Sequence, residues 1–295
     1  MNKRPSIGDK FAYFALIAFE KPIGWIPTSW MWRIGAGVGF LAYHLVKKRK
    51  AIVQANLKIV HPDLDDQEID TLTRQVFRKS FGNLISSVNT GFIPFKKVQQ
   101  IVTIKDQHHF KNIGEDKGCI MLLFHMGNWE ILTRVAHMID IKKPSGAMYR
   151  PLNNVLVNDY ITKSREKDGT QLFGRKKGLI LATKFIRDGG MLGILADQHS
   201  GKAGIDLPLF GRETSITPLP SMLAQKYDCP VIPVTVVTSS PGKWDISFNE
   251  PISIPKSLSK EEATQLLIPA MEKVMIENSS DIFWLHDRWK LKREL

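Results

Sequence analysis

The chain has 295 residues, enough for one large α/β domain or two small ones. Apolar residues make up 43% and charged residues 24%, which allows a sizeable core and argues against extended disorder. Lys plus Arg exceed Asp plus Glu by 41 to 29, a net charge of +12 that points to an anionic partner, whether nucleic acid, anionic lipid or acidic protein; the plainer reading is a charge that keeps the chain soluble. The two cysteines, Cys119 and Cys229, sit beside apolar runs with no CxxC pair, which argues against a disulfide framework or a zinc site and for buried thiols in a reducing compartment.

The first 60 residues differ from the rest. Lys3 and Arg4 precede an apolar stretch, 11–19, that Glu20-Lys21-Pro22 cuts short, and no small-residue cleavage site follows, so no cleavable signal is expected. Neither this run nor 34–46 reaches the roughly 18 apolar residues of a spanning helix. Trp25, Trp30 and Trp32 crowd one short segment, and tryptophan favours the headgroup level of a bilayer. Gly35 and Gly39 form a GxxxG pair that lets another helix approach closely. Lys47-Lys48-Arg49-Lys50 then suits an anionic membrane face. Residues 1–50 are therefore expected to form an amphipathic, membrane-associating helical region ahead of a domain spanning 51–295. The alternative is a core helix followed by a solvated charge run.

Helices follow. One carries Ile52, Leu57, Ile59 and Val60 and stops at His61-Pro62; another opens near Asp65 and places Ile69, Leu72, Val76, Phe77 and Phe81 at helical spacing. Beyond residue 100, short apolar runs at 120–124, 191–195, 231–237 and 246–248 read as strands. Helical stretches lie at 130–139, 152–167, 178–187 and 217–227. This alternation predicts an α/β fold with a mixed, largely parallel sheet flanked by helices.

The segment from Cys119 to Glu130 carries the most chemistry. An apolar strand leads into His125, Gly127 turns the chain, Asn128 is a good helix N-cap, and Glu130 falls in the first helical turn. Ligands of open α/β sheets collect at the carboxyl ends of strands. A histidine there can take a proton from a hydroxyl while a carboxylate orients the ring. The spacing alone is weak. Of eight histidines, His61 is also followed at the fifth position by an acid, Asp66, but in a polar loop with no strand before it. On the residues alone, His125 and Glu130 are either a catalytic pair or a structural polar pair.

Further positions join the list. Arg150 ends a strand-like segment, where it can stabilise an oxyanion or clamp a phosphate, or simply precede a Pro turn. Asp197-Gln198 follows a buried strand, so it should open onto the same edge, to position Arg150, bond a sugar or cap a turn. His199 reads as a loop residue, His286 as a core, surface or site residue, and Lys176-Lys177 as a phosphate contact or a solvated loop. No G-x-S-x-G elbow, P-loop or dinucleotide fingerprint is present, and no metal-ligand cluster or cofactor motif appears.

His125-Met126-Gly127-Asn128-Trp129-Glu130 resembles the HxxxxD/E motif of the glycerolipid acyltransferase superfamily, in the HxGNWE form of the bacterial lipid A biosynthesis acyltransferases. Other segments resemble that family's elements in order. These are Arg49 with Asn56-Leu57, Tyr149-Arg150-Pro151 with a following Asn, Ala196-Asp197-Gln198, Leu209-Phe210-Gly211, Pro230-Val231-Ile232-Pro233, and Trp284-Leu285-His286-Asp287-Arg288-Trp289-Lys290. Leu209 stands where the family has an aromatic, and the N-terminal anchor is only weakly hydrophobic. The resemblance implies transfer of a fatty-acyl chain from acyl-carrier protein, or acyl-CoA, to a hydroxyl of a lipid A precursor at the cytoplasmic face of the inner membrane. His125 and Glu130 would be catalytic, Arg150, Asp197 and Gln198 would contact substrate, and no cofactor or metal would be needed. A related enzyme acting on another glycolipid, a phosphatidylinositol mannoside or an ornithine-type lipid, carries the same motifs. A basic membrane- or nucleic-acid-binding module is the non-enzyme alternative; the enzyme reading involves no nucleic acid.

Overall fold

The computed structural model describes residues 5–110, 113–114, 116–139, 143–174 and 178–290, with the backbone alone for 19–21. Lys3, Arg4 and Lys176-Lys177 lie outside the described residues.

Helices come first. α1 (Ile7–Trp25) opens on a capping box in which Asp9 N–H donates to Ser6 Oγ and Ser6 N–H donates to the Asp9 carboxylate. α2 (Thr28–Leu45) follows the Ile26-Pro27 break, and α3 (Lys47–Val60) stops at His61-Pro62 as its sequence predicts. α4 (Asp66–Phe92) begins on a second capping box, Asp65 with Glu68. α5 (Phe95–Ile101) leads into β1 (Val102–Lys105).

The α/β part then runs β2 (Cys119–Leu123), β3 (Ser145–Tyr149), α6 (Val155–Glu166), β4 (Thr170–Gly174), α7 (Gly178–Arg187) and β5 (Met191–Leu195). A hairpin follows, β6 (Ile205–Leu209) and β7 (Arg212–Ile216), and then α8 (Leu219–Tyr227), β8 (Val231–Ser240), β9 (Lys243–Phe248), α9 (Lys260–Gln265) and α10 (Ile268–Glu277). The main sheet has the order β1-β9-β8-β2-β5-β3-β4. Its pairs are parallel except β8 with β9, and β6 and β7 form a separate two-stranded sheet. This is the mixed, largely parallel α/β sheet that the alternation predicts. Ile120, Leu122, Met191, Leu192, Val231 and Ile232 are fully buried, as continuous apolar strands covered on both faces should be. Cys119 and Cys229 are free, buried thiols, both pushed up to about 12 chiefly by burial.

Two local expectations change. The helix expected over 130–139 is two short 3-10 segments, Trp129–Arg134 and Ala136–Met138. Arg134 draws this stretch inward. Its guanidinium donates to the Thr90 and Ile93 carbonyls, which the end of α4 leaves without helical partners, and it pairs with Asp168. Asn128 does not cap with its side chain; its Nδ2 donates to Thr90 Oγ1 at 3.0 Å.

The glycine pair acts as read, with its partner in the same chain. A Cβ at Gly35 or Gly39 would collide with the α4 backbone at Phe81, Gly82 and Phe77, so only glycine lets α2 and α4 lie this close. Asn89 fixes the α1–α2 corner, donating to the Ile23 and Ile26 carbonyls at 2.6 and 3.0 Å and accepting from Thr28 Oγ1 at 2.8 Å. The opposite face of α2 stays open, with Trp30, Ile34, Val38, Leu41 and Leu45 exposed at helical spacing; Ile7, Phe11 and Phe14 do the same on α1. Trp25 is also exposed, whereas Trp32 turns inward and donates to Asn83 Oδ1 at 3.0 Å. Of the basic run, Lys50 pairs with Asp70 at 2.8 Å and Arg49 donates to the Leu285 carbonyl, leaving Lys47 and Lys48 as exposed cations. Among the described residues, no helix is long and apolar enough to cross a membrane.

Candidate active site

Three consecutive parallel strands deliver the candidate residues to one edge. β2 ends just before Phe124-His125, β5 just before Ala196-Asp197, and β3 just before Arg150. β5 lies between β2 and β3, with Met121 level with Gly193 and Gly193 level with Ala147. The backbones at His125 and Asp197 are therefore neighbours, and Arg150 stands about 10 Å from the β2 line, two strand spacings away.

His125 and Asp197 meet twice. Asp197 Oδ1 lies 2.7 Å from the ring Nδ1, and Asp197 Oδ2 accepts from the His125 backbone N–H at 2.9 Å. A carboxylate only accepts, so Nδ1 carries the proton and the lone pair of the neutral ring sits on Nε2. Nε2 has no hydrogen-bond partner among the described residues, and the side chain keeps 21% of its surface exposed. Burial disfavours the charged ring. The charge of Asp197, its hydrogen bond and the charge of Glu130 outweigh that and raise the imidazole above its ordinary pKa of 6.5. Asp197 shows the converse: burial pushes its carboxyl up, but the His125 charge and the ring and backbone donors bring it below 3.8.

The turn itself is locked. Gly127 has φ +52°, and a Cβ there would run into the Val236 carbonyl. Its N–H donates to the Asp281 carbonyl at 3.0 Å, and Phe283 N–H donates to the His125 carbonyl at 2.8 Å. Trp129 packs edge-on to the imidazole, with ring centroids 5.2 Å apart.

Glu130 is held elsewhere. Arg165, on α6, grips both its oxygens, with Nε and Nη2 donating at 2.8 and 2.7 Å. The orienting contact on Nδ1 that the sequence assigns to Glu130 is thus made by Asp197. Glu130 acts on the ring through its charge. Arg165 is absent from the sequence-derived candidates, since nothing local marks an arginine 35 positions from its partner. Arg150 is exposed and has no hydrogen-bond or ion-pair partner among the described residues. Gln198 is half-buried beside Asp197.

The first and last motifs meet behind this edge. Asn56 Nδ2, fully buried, donates to the Trp284 and His286 carbonyls, each at 2.9 Å, and Arg49 Nη1 donates to the Leu285 carbonyl at 3.0 Å. His286 lies close behind the site: its Nε2 accepts from the His199 N–H at 3.3 Å, and burial pushes it down to about 4, so it is neutral near pH 7. Arg288 is buried against Thr214 Oγ1 and the Ser215 carbonyl at 2.8 and 3.0 Å; burial lowers it to about 10, partly offset by Asp197, and leaves it charged at neutral pH. Among the described residues no group of three or more His, Cys, Asp or Glu is arranged to hold a metal.

The chain matches the family model of the bacterial lipid A biosynthesis acyltransferase over residues 3–291. It is 23% identical over 275 residues to the lipid A biosynthesis lauroyltransferase of Escherichia coli (strain K12), covering 91% of this chain and 88% of that protein. It is 22% identical over 284 residues to a lipid A biosynthesis acyltransferase of Haemophilus influenzae, covering 94% and 89%. It is 22% identical over 264 residues to the lipid A biosynthesis palmitoleoyltransferase of Escherichia coli (strain K12), covering 88% and 84%.

Proposed function

The chain belongs to the bacterial lipid A biosynthesis acyltransferase family, and from that premise we propose that it transfers a fatty-acyl chain from acyl-carrier protein to a hydroxyl of a lipid A precursor, with His125 as general base and Glu130 beside it. The observation that carries the mechanism is the His125–Asp197 contact, which fixes the ring and leaves Nε2 as its free base.

Nε2 takes the proton of the acceptor hydroxyl as the oxygen attacks the thioester carbonyl. The imidazolium so formed is held by Asp197 and by the negative charge of Glu130, and it returns the proton to the leaving thiolate. Glu130, gripped by Arg165, adds charge now and can meet the ring or the hydroxyl directly once substrate fills the edge, since catalytic hydrogen bonds often tighten only in the complex. Arg150, without a hydrogen-bond or ion-pair partner among the described residues, serves at the end of β3 as the clamp for the oxyanion or a phosphate, and Gln198 as a polar contact to the sugar. The net charge of +12 supports an acidic carrier protein as donor, steered by a field that salt weakens. The open apolar faces of α1 and α2 support residues 1–50 as the region that rests on the cytoplasmic face of the inner membrane.

The test offers the purified protein acyl-carrier-protein and acyl-CoA donors, each with a lipid A precursor and with a mannosylated phosphoinositide. Transfer to the lipid A precursor from the carrier protein, slowed by salt, is expected. Transfer only to the phosphoinositide, or only from acyl-CoA, would replace this reading with its relative.

A further inference from the structure

An open groove of about 340 Å³ lies between α2 and α4, away from the candidate active site. Trp32, Arg33, Ala36, Gly37 and Phe40 line one side and Arg78 the other. Its α2 wall is low because two of those residues are small; a Cβ at Gly37 would meet nothing within 4 Å.

The charges at the groove are unusual. Arg33 is the single permanently charged residue of α2, a helix that exposes the apolar Trp30, Ile34, Val38, Leu41 and Leu45 beside it. On α4, Arg74 pairs with Asp70 at 3.0 Å and Lys79 with Asp281 at 2.7 Å. Arg33 and Arg78 are both exposed and have no hydrogen-bond or ion-pair partner among the described residues, and no carboxylate lines the groove. Two unneutralised guanidinium forks over a small apolar bed fit a phosphate carried on a lipid. A free anion would leave the bed unused, and an acidic peptide has no need of the neighbouring Trp30, Ile34, Val38 and Leu41, which together suit the upper acyl region of a bilayer.

We propose that this groove seats the phosphate of an anionic membrane phospholipid between Arg33 and Arg78, as an anchoring site separate from the acceptor site. Arg78 stands twelve residues before Thr90, the α4 residue that bonds Asn128 beside His125. That is about 18 Å along the helix axis. The groove would fix the rotation of the α1–α2 layer on the bilayer, and the inference does not depend on which acyl chain or acceptor the enzyme uses.

The experiment measures partition of the full chain onto phosphatidylcholine vesicles with and without phosphatidylglycerol. A basic side chain near an anionic surface is worth about fivefold in binding. Arg33→Gln and Arg78→Gln should each lose about that factor on the phosphatidylglycerol vesicles, the double variant more than tenfold, and none should change binding to phosphatidylcholine alone. Arg33→Lys with Arg78→Lys, which keeps the charge and removes the forks, should fall in between. An equal loss in the charge-matched Arg187→Gln, Lys256→Gln variant would overturn the seat in favour of diffuse attraction. Release by inorganic phosphate beyond that by chloride at equal ionic strength would overturn it in favour of a free-anion site. Acyl transfer in detergent should be unchanged in the double glutamine variant; a parallel loss there would assign the groove to the acceptor and overturn the proposal, leaving the acyltransferase reading intact.

Discussion

His125 and His61 have the same local spacing to an acid and opposite surroundings. After His125, a parallel strand places Asp197 on the ring, and the imidazole is raised above its ordinary pKa. After His61, the ring Nε2 meets the Ser279 hydroxyl at 2.7 Å, and burial lowers its pKa. The acids at the fifth position differ too: Asp66 pairs with Lys58 at 2.6 Å on the surface, while Glu130 is gripped by Arg165 at the site edge. In neither case does the fifth residue hold the ring. The spacing brings a carboxylate into the neighbourhood, and the sheet supplies the one that holds the ring.

The largest expected effect breaks the comparison at its centre. His125→Ala should lower the turnover of acyl transfer by about 10²–10⁴ while the chain still folds, and His61→Ala should keep turnover near wild type; near-normal turnover in a folded His125→Ala would remove the base from the mechanism. Asp197→Asn should approach the same loss, because the wrong tautomer is then held. The pH profile gives the sign. The base works when neutral, so kcat/KM should fall as pH drops through a value above 6.5. Asp197→Asn should move that acid limb to lower pH, and Glu130→Gln should move it in the same direction by less. An unmoved limb in Asp197→Asn would return the orienting role to Glu130. For Glu130→Ala the rate should drop at least about tenfold, and for Arg165→Gln by less, since the carboxylate remains.

Stability sharpens the same contrast. The raised pKa of His125 stabilises the fold fully below 6.5 and loses that contribution as pH rises through the folded value. The lowered pKa of Asp197 contributes above 3.8 and is lost as pH falls through its folded value. The destabilisation caused by Asp197→Asn, measured by denaturant unfolding, should therefore be largest between pH 3.8 and 6.5 and shrink above. A smaller effect is expected behind the site. Asn56→Ala leaves the Trp284 and His286 carbonyls without that donor and should destabilise by about 1–3 kcal/mol; a change within a few tenths would show that the clasp between the first and last motifs is not a structural requirement.

Local physics made much of this molecule legible. The helix start near Asp65, the stop at His61-Pro62, the apolar run at 191–195 and the helix at 178–187 depend on neighbours a few residues apart, and they stand where the sequence puts them. Gly127 was readable as a turn for the same reason. β4 and β6 were not legible, because Thr170–Gly174 is half polar and Ile205–Leu209 carries a proline and an acid; pairing with β3 and β7 makes them strands. The stretch after Glu130 became 3-10 rather than α-helical because Arg134 answers carbonyls some 40 residues away. By itself the sequence determined which residues are candidates for the chemistry, His125, Glu130, Arg150, Asp197 and Gln198, since residue type and strand-end context are local properties. Only the tertiary structure decided their partners, Asp197 to the imidazole, Glu130 to Arg165, Asn56 to the last motif, because a hydrogen bond depends on distance in space and the sheet order that sets that distance is written in no single segment.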